Sequence, residues 1–321
     1  MLVAALGAIV SSRRALATMS AAGSRKVIDS AVHVWSNGQE PYPWAAAPPD
    51  DLKSAATFEE LVKSAREAGV SGALIVQPAN HKFDHSYVSA ALKAHPQLFR
   101  GMLLANPTLP PAEAVAELER LHGEGYVGVR FNPYLFPDGM DSPVGRALYR
   151  RAGELKMPVG VMCFQGFMAQ LPALQALIDA SPDTPLILDH LGFFRQPATG
   201  GLKGDAASND EEAWKALLAL AARPQVHVKV SALFRTSAEP PPHLDLQPRV
   251  RELLAAYGAS RLMWGSDFPF VLLGGQARNE YALDYKQAAA VPGFWRVPEL
   301  DEEAHAQLMG GTAAKLFGFG A

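Results

Sequence analysis

The sequence predicts an α/β fold, a (β/α)8 barrel, and three observations carry that expectation. Short apolar runs alternate with stretches of helical periodicity from residue 27 onward, and eight such runs can be read. Most are continuously apolar, as parallel strands covered on both faces should be. Polar residues gather at their C-terminal ends, where a barrel keeps its chemistry. A doubly wound open sheet shows the same alternation. It usually has fewer strands, however, and the glycine-rich phosphate loop expected after its first strand is missing here.

The elements follow in order. VIDSAVHV (27–34) opens the barrel, and TFEELVKSAREAG (57–69) reads as a helix whose Thr57 and Glu60 have capping-box spacing. GALIVQ (72–77) runs into QPANHKFDHSYV (77–88), a loop carrying Asn80, His81, Asp84 and His85. RGMLLA (100–105), the helix PAEAVAELERLHG (111–123) and VGVRFN (127–132) come next. PVGVMC (158–163), LILDH (186–190), the helix NDEEAWKALLALAA (209–222) and VHVKVSA (226–232) continue the rhythm. FRTSAEPPPHLDLQ (234–247) reads as an extended loop stiffened by Pro240, Pro241 and Pro242, and LMWGSD (262–267) is the eighth strand.

Composition bounds the function. The 321 residues are 49% hydrophobic with a net charge of −3, ample for a core and too neutral to attract nucleic acid or an anionic membrane surface. No apolar run reaches the roughly 18 residues of a membrane-spanning helix. Cys163 is the single cysteine, which excludes a disulfide framework and points to a reducing, intracellular compartment. Nothing in its local sequence would lower its pKa, so it reads as a structural thiol. Residues 1–26 stand apart from the barrel domain at 27–321. They hold Arg13, Arg14, Arg25 and Lys26 and no acid, the character of a chloroplast or mitochondrial transit peptide. A weak secretory start and a disordered extension are the alternatives, and without a targeting segment the chain is cytoplasmic.

The strand ends carry the chemistry. His33 closes the first, Gln77 the second, Arg130 and Asn132 the fourth, His190 the sixth, Lys229 and Ser231 the seventh, and Asp267 the eighth. His33, His190 and Asp267 supply two imidazoles and a carboxylate, a set that suits Zn²⁺ with one position left for water. Asp267 can also accept the proton of an attacking water. Arg130 can hold a substrate carboxylate in its planar fork. Asn132, Lys229, Ser231, Gln77 and His81 complete the candidate substrate contacts. Plainer readings stand beside these: a strand-end histidine satisfied by its surroundings, Asp267 capping a turn, Arg130 in an internal ion pair, and Lys229 snorkelling outward.

Together, VIDSAVHVW, ALIVQPANHKFDH, VGVRFNPY, LILDHLG, VHVKVSALFR and MWGSDFPF resemble the amidohydrolase-related family (amidohydrolase 2) over residues 27 to about 317. The likeness is to its lactonase-like branch, which includes 2-pyrone-4,6-dicarboxylate lactonase, sugar-lactone hydrolases and plant members. It implies a distorted TIM barrel that hydrolyses a lactone or related cyclic ester or amide of a small, carboxylate-bearing acid. It also implies that His33 and His190 are site histidines and Asp267 is the water-activating base. The chain departs from the family's IDxHxH at Ala31, whose methyl group has no electron pair for a metal. The expectation is therefore at most one divalent metal, zinc first, or none. A catalytically silent barrel that binds a small acid, and a metal-dependent decarboxylase, are the competing readings. Oligomeric state is not legible.

Overall fold

The computed structural model describes residues 26–164, 166–194, 211–274 and 279–320. The segment read as a targeting extension lies outside the described residues, apart from Lys26. Eight parallel strands form one sheet in sequence order: β1 Ile28–Val32, β2 Gly72–Val76, β3 Phe99–Leu104, β4 Tyr126–Phe131, β5 Val159–Val161, β6 Leu186–Leu188, β7 Val226–Ser231 and β8 Leu262–Gly265. Each overlaps its predicted run but starts or stops one or two residues away from it. At β6 the reason is visible: His190 turns to φ 50°, which no strand accommodates.

Helices fill the crossovers: α1 Phe58–Ala68, α2 Ser86–Ala94, α3 Pro111–Gly123, α4 Pro143–Glu154, α5 Phe167–Ala180, α6 Glu211–Ala219 and α7 Gln247–Tyr257. The α1 N-terminus is capped as its sequence predicts, the Thr57 hydroxyl accepting from the Glu60 N–H at 3.3 Å. At the other end Gly69 takes φ 70°, the left-handed stop that glycine adopts without a Cβ penalty. The 234–247 tract departs from an extended loop. Ala232, at φ 48°, reverses the chain after β7, Leu233–Thr236 forms a helical turn, and Leu244–Leu246 forms another short one. Asp245 folds the tract back on itself by accepting from the Ser237 hydroxyl at 2.5 Å and the Ala238 N–H at 2.8 Å. No helix among the described residues is long and apolar enough to cross a membrane.

Strand alternation divides the core. Val226, Val228 and Val230 join the large cluster between sheet and helices, so Lys229 and Ser231 face the barrel interior. A second cluster, Ile28, Leu74, Val76, Met102, Ile187 and Met263, packs with Phe317 and Phe319 from the C-terminal segment. The barrel closes between β1 and the end of β8. There Asp267 N–H donates to the Ala31 carbonyl at 2.9 Å, and His33 N–H donates to the Phe268 carbonyl at 2.7 Å. Closure of the barrel and placement of His33 and Asp267 are thus one event.

Gly265 sits in this seam. A Cβ on it would lie 2.8 Å from the Ala31 Cβ and 3.2 Å from the Ser231 Cβ. Gly265→Ala is expected to cost about 1–3 kcal/mol of stability by overpacking, read as a lower urea midpoint. An unchanged midpoint contradicts this account of the seam.

Candidate active site

Asp267 is the centre of the barrel mouth. It is 2% exposed and sits at φ 63°, and His190 is held at φ 50°. A left-handed conformation is uncommon for a residue with a Cβ, costs on the order of 1–3 kcal/mol, and clusters at functional sites. From His190 to Phe193 the φ angles are 50°, 54°, 65° and 60°, with Gly192 N–H donating to the Asp189 carbonyl at 2.9 Å. Two strand ends are bent in this way to bring their side chains together.

Three groups converge on the Asp267 carboxylate. His33 Nε2 lies 3.5 Å from Oδ1, His190 Nε2 lies 3.8 Å from Oδ1, and Arg235 Nε donates to Oδ2 at 3.0 Å. The Arg235 guanidinium also packs over the rings of Phe234 and Phe270, at 5.0 and 5.2 Å. Burial pushes the Asp267 carboxyl upward, but Arg235, His190 and His33 more than offset it and hold the group well below the usual carboxylate range. It is therefore ionised at any working pH.

The imidazoles are oriented by their far nitrogens. His33 Nδ1–H donates to the Val76 carbonyl at 2.9 Å, so Nε2 is the position that can take or release a proton opposite Asp267. His190 Nδ1 lies 2.7 Å from the Ser231 hydroxyl. Burial pushes His190 down to about 4 against the pull of Asp267 and Asp189, so the ring is neutral. With the hydroxyl donating to Nδ1, the ring's single proton sits on Nε2, and no lone pair faces the carboxylate.

Arg130 and Lys229 occupy the interior of the barrel. Arg130 Nη2 pairs with Asp189 Oδ2, and Lys229 Nζ lies 3.2 Å from Asp189 Oδ1, all three being buried. Lys229 points inward, and the outward snorkelling reading is corrected by the strand alternation of β7. Gln77 donates its amide to the carbonyls of Lys82 and Asp84, at 3.1 and 2.7 Å, fixing the loop after β2. In that loop His81 Nε2 accepts from Ser36 N–H at 3.2 Å and its ring stacks on Tyr87. Asn132 accepts from the Tyr134 N–H at 3.3 Å, capping the turn after β4. Cys163 is buried, which pushes its thiol well up and keeps it inert. The structure thus brings together His33, His190, Ser231 and Asp267 from the sequence-derived set. Arg235 joins them from a tract whose sequence reads as plain loop. The signal for it was its place four residues beyond Ser231, just past the end of a strand.

The donor set does not make a metal cage. His33, His190 and Asp267 meet, yet among the described residues no group of three His, Cys, Asp or Glu side chains is placed to hold an ion. Ala31 supplies a methyl group where a nitrogen would be needed, and the Arg235 guanidinium already balances the one carboxylate. The expected grouping of His33, His190 and Asp267 as ligands is therefore not one this geometry favours.

Two buried histidines couple folding to pH. Burial lowers both His190 and His85 to about 4, whereas an unfolded histidine titrates near 6.5. Their contribution is fully present above about 6.5 and lost as pH falls toward 4, up to about 3 kcal/mol each. Asp29, raised by burial to about 6, acts in the opposite sense as pH rises from 4 to 6. Comparison with His85→Gln isolates the histidine effect. The variant's urea midpoint is expected to fall less steeply between pH 6.5 and 4.5, and equal slopes would contradict the assignment.

A profile of the amidohydrolase family (Amidohydro_2) matches residues 28–319. The L-fucono-1,5-lactonase of Burkholderia ambifaria is 39% identical over 106 residues, 33% of this chain and 33% of that protein, so the match spans about a third of that relative's length. A Pseudomonas putida structure assigned as a 2-pyrone-4,6-dicarboxylic acid hydrolase superposes with a TM-score of 0.69 at 25% identity, covering 93% of this chain and 100% of that one. A Burkholderia multivorans amidohydrolase with bound zinc shares the fold, with a TM-score of 0.65 at 22% identity over 91% of this chain and 99% of that one.

Proposed function

We propose, from the premise that the chain belongs to the amidohydrolase family, that it opens a lactone of a small organic acid by water attack, with Asp267 as the base. The observation that carries this reading is one buried, ionised carboxylate touched by two imidazoles and a guanidinium at the mouth of a barrel. The lactonase and hydrolase names of its relatives support the substrate class.

The residues then divide the work. Asp267 takes a proton from water as the oxygen attacks the lactone carbonyl carbon. His190, neutral with its proton on Nε2, donates to the carbonyl oxygen as negative charge develops there. Arg235 presents two terminal nitrogens beyond the Nε that it spends on Asp267. These can hold a substrate carboxylate or the oxyanion. The partners that keep Asp267 ionised also make it a weak base. As they turn toward the oxyanion they release it to accept the proton. Collapse of the tetrahedral intermediate breaks the bond to the ring oxygen, which leaves with the proton held by Asp267 and gives a hydroxy acid. His33 holds Asp267 from the other side and keeps a nitrogen facing it for proton exchange. Arg130, Lys229 and Asp189 support the strand ends from below, with Asp189 directly preceding His190. No step needs a metal ion, in keeping with the donor set.

The experiment is a panel of five- and six-membered lactones followed by acid release in a pH-stat, with carbon dioxide measured on parallel hydroxybenzoates. Acid release above background on at least one lactone is the expected outcome. Carbon dioxide release with no lactone opening would replace this reading with a decarboxylase, and silence on both would leave a binding barrel.

A further inference from the structure

The loops after β4, β5 and β6, three adjacent strands, carry a chain of rings that ends on His190. The Tyr134 ring lies 6.4 Å from that of Phe164, at 84°. Phe164 lies 5.7 Å from Phe193, at 80°, and Phe193 lies 4.9 Å from His190, at 75°. The inner member, Phe193, is 5% exposed, whereas Tyr134 and Phe164 are 38% and 37% exposed. Large apolar side chains left open to water carry a cost that folding alone does not explain when they form one contiguous run. The turn bearing Tyr134 is fixed by the Asn132 cap, so the surface is held in place rather than merely exposed.

We propose that Tyr134 and Phe164 form a substrate wall that selects lactones carrying a flat apolar or aryl group. This rests on the lactonase reading above and names the substrate class of that same site. Position argues for a substrate as the occupant. The wall begins at the ring of His190, whose Nε2 reaches Asp267, so a carbonyl polarised by His190 has its substituent directed along the rings. Its side chains are uncharged and meet edge to face, an arrangement that leaves π faces for a planar group to stack against. The charged partners of the site, Arg235 and Asp267, come from the loops after β7 and β8. A substrate is therefore held by its acid function on one side and by its apolar face on the other.

The test compares dihydrocoumarin, whose lactone is fused to a benzene ring, with δ-valerolactone, using wild type, Phe164→Ala, Tyr134→Ala/Phe164→Ala and Phe164→Trp. Each kcat/KM is referred to the uncatalysed rate of that lactone. Wild type is expected to prefer dihydrocoumarin by about ten- to a hundredfold, the scale set by burying one aromatic ring. The alanine variants are expected to lose that preference by at least tenfold, chiefly in KM, and Phe164→Trp to retain it. No wild-type preference, or an equal loss on both lactones, overturns the wall. If neither lactone is opened, the lactonase reading fails on these substrates and the wall is tested alone by calorimetry. Tighter binding of 3-(2-hydroxyphenyl)propanoate than of 5-hydroxypentanoate, lost in the alanine variants, supports it. Equal binding, or no binding of either acid, overturns it.

Discussion

Asp267→Asn is expected to lower kcat/KM for lactone opening by about 10²–10⁴-fold, the range a positioned general base contributes. The change is isosteric, and the amide can still accept from Arg235 Nε, 3.0 Å away in the native protein. The amide nitrogen has no free lone pair with which to take the proton from water. Substrate affinity should change far less than kcat, because the lost group acts on the water. Steady-state kinetics with product binding measured in parallel checks this. Equal activity in the two proteins would remove Asp267 from the base role. Equal loss in kcat and binding would make it a structural anchor for Arg235.

Arg235→Met is expected to act on the same carboxylate from the other side. Removing the guanidinium leaves burial as the dominant influence on Asp267, and the carboxyl rises from well below the usual range. The acid limb of kcat/KM therefore moves to higher pH. At the optimum the loss is about 10²–10³-fold, the effect of deleting one donor to a developing oxyanion. Arg235→Lys restores part of the rate and most of the pH profile, since it returns the charge without the fork. A residue that only packed between Phe234 and Phe270 would slow the enzyme without moving the limb, so the pH profile separates the two roles.

Legibility in the sequence followed the physics of each feature. The eight strands were readable because parallel strands covered on both faces are apolar throughout, and the helix at 111–123 was readable to the residue. Strand ends were blurred where the apolar run continued into a left-handed turn, as at LILDH, because φ is not written in composition. His33, His190 and Asp267 were legible by position alone. The same rule places Arg130 and Lys229 at strand ends, whereas both lie within β4 and β7, and it does not separate groups that face the mouth from groups that fix the loops. Gln77 and Asn132 hold backbone groups in place, and Arg130 and Lys229 meet on Asp189, a partner whose role the sequence pattern did not suggest. Arg235 is not legible as a site residue because its tract is rich in proline and polar residues and reads as plain loop. Its reach to Asp267 depends on the reversal at Ala232. Ala31 is the sharpest local clue, because its methyl group offers no donor where the family pattern has a histidine.

The most direct test of the central claim is lactone turnover by protein stripped with a chelator, with bound metal counted by mass spectrometry in the assayed sample. The account predicts undiminished kcat/KM at well under one ion per ten chains, and no gain on adding Zn²⁺. Activity that disappears with the metal and returns in proportion to zinc bound would contradict it.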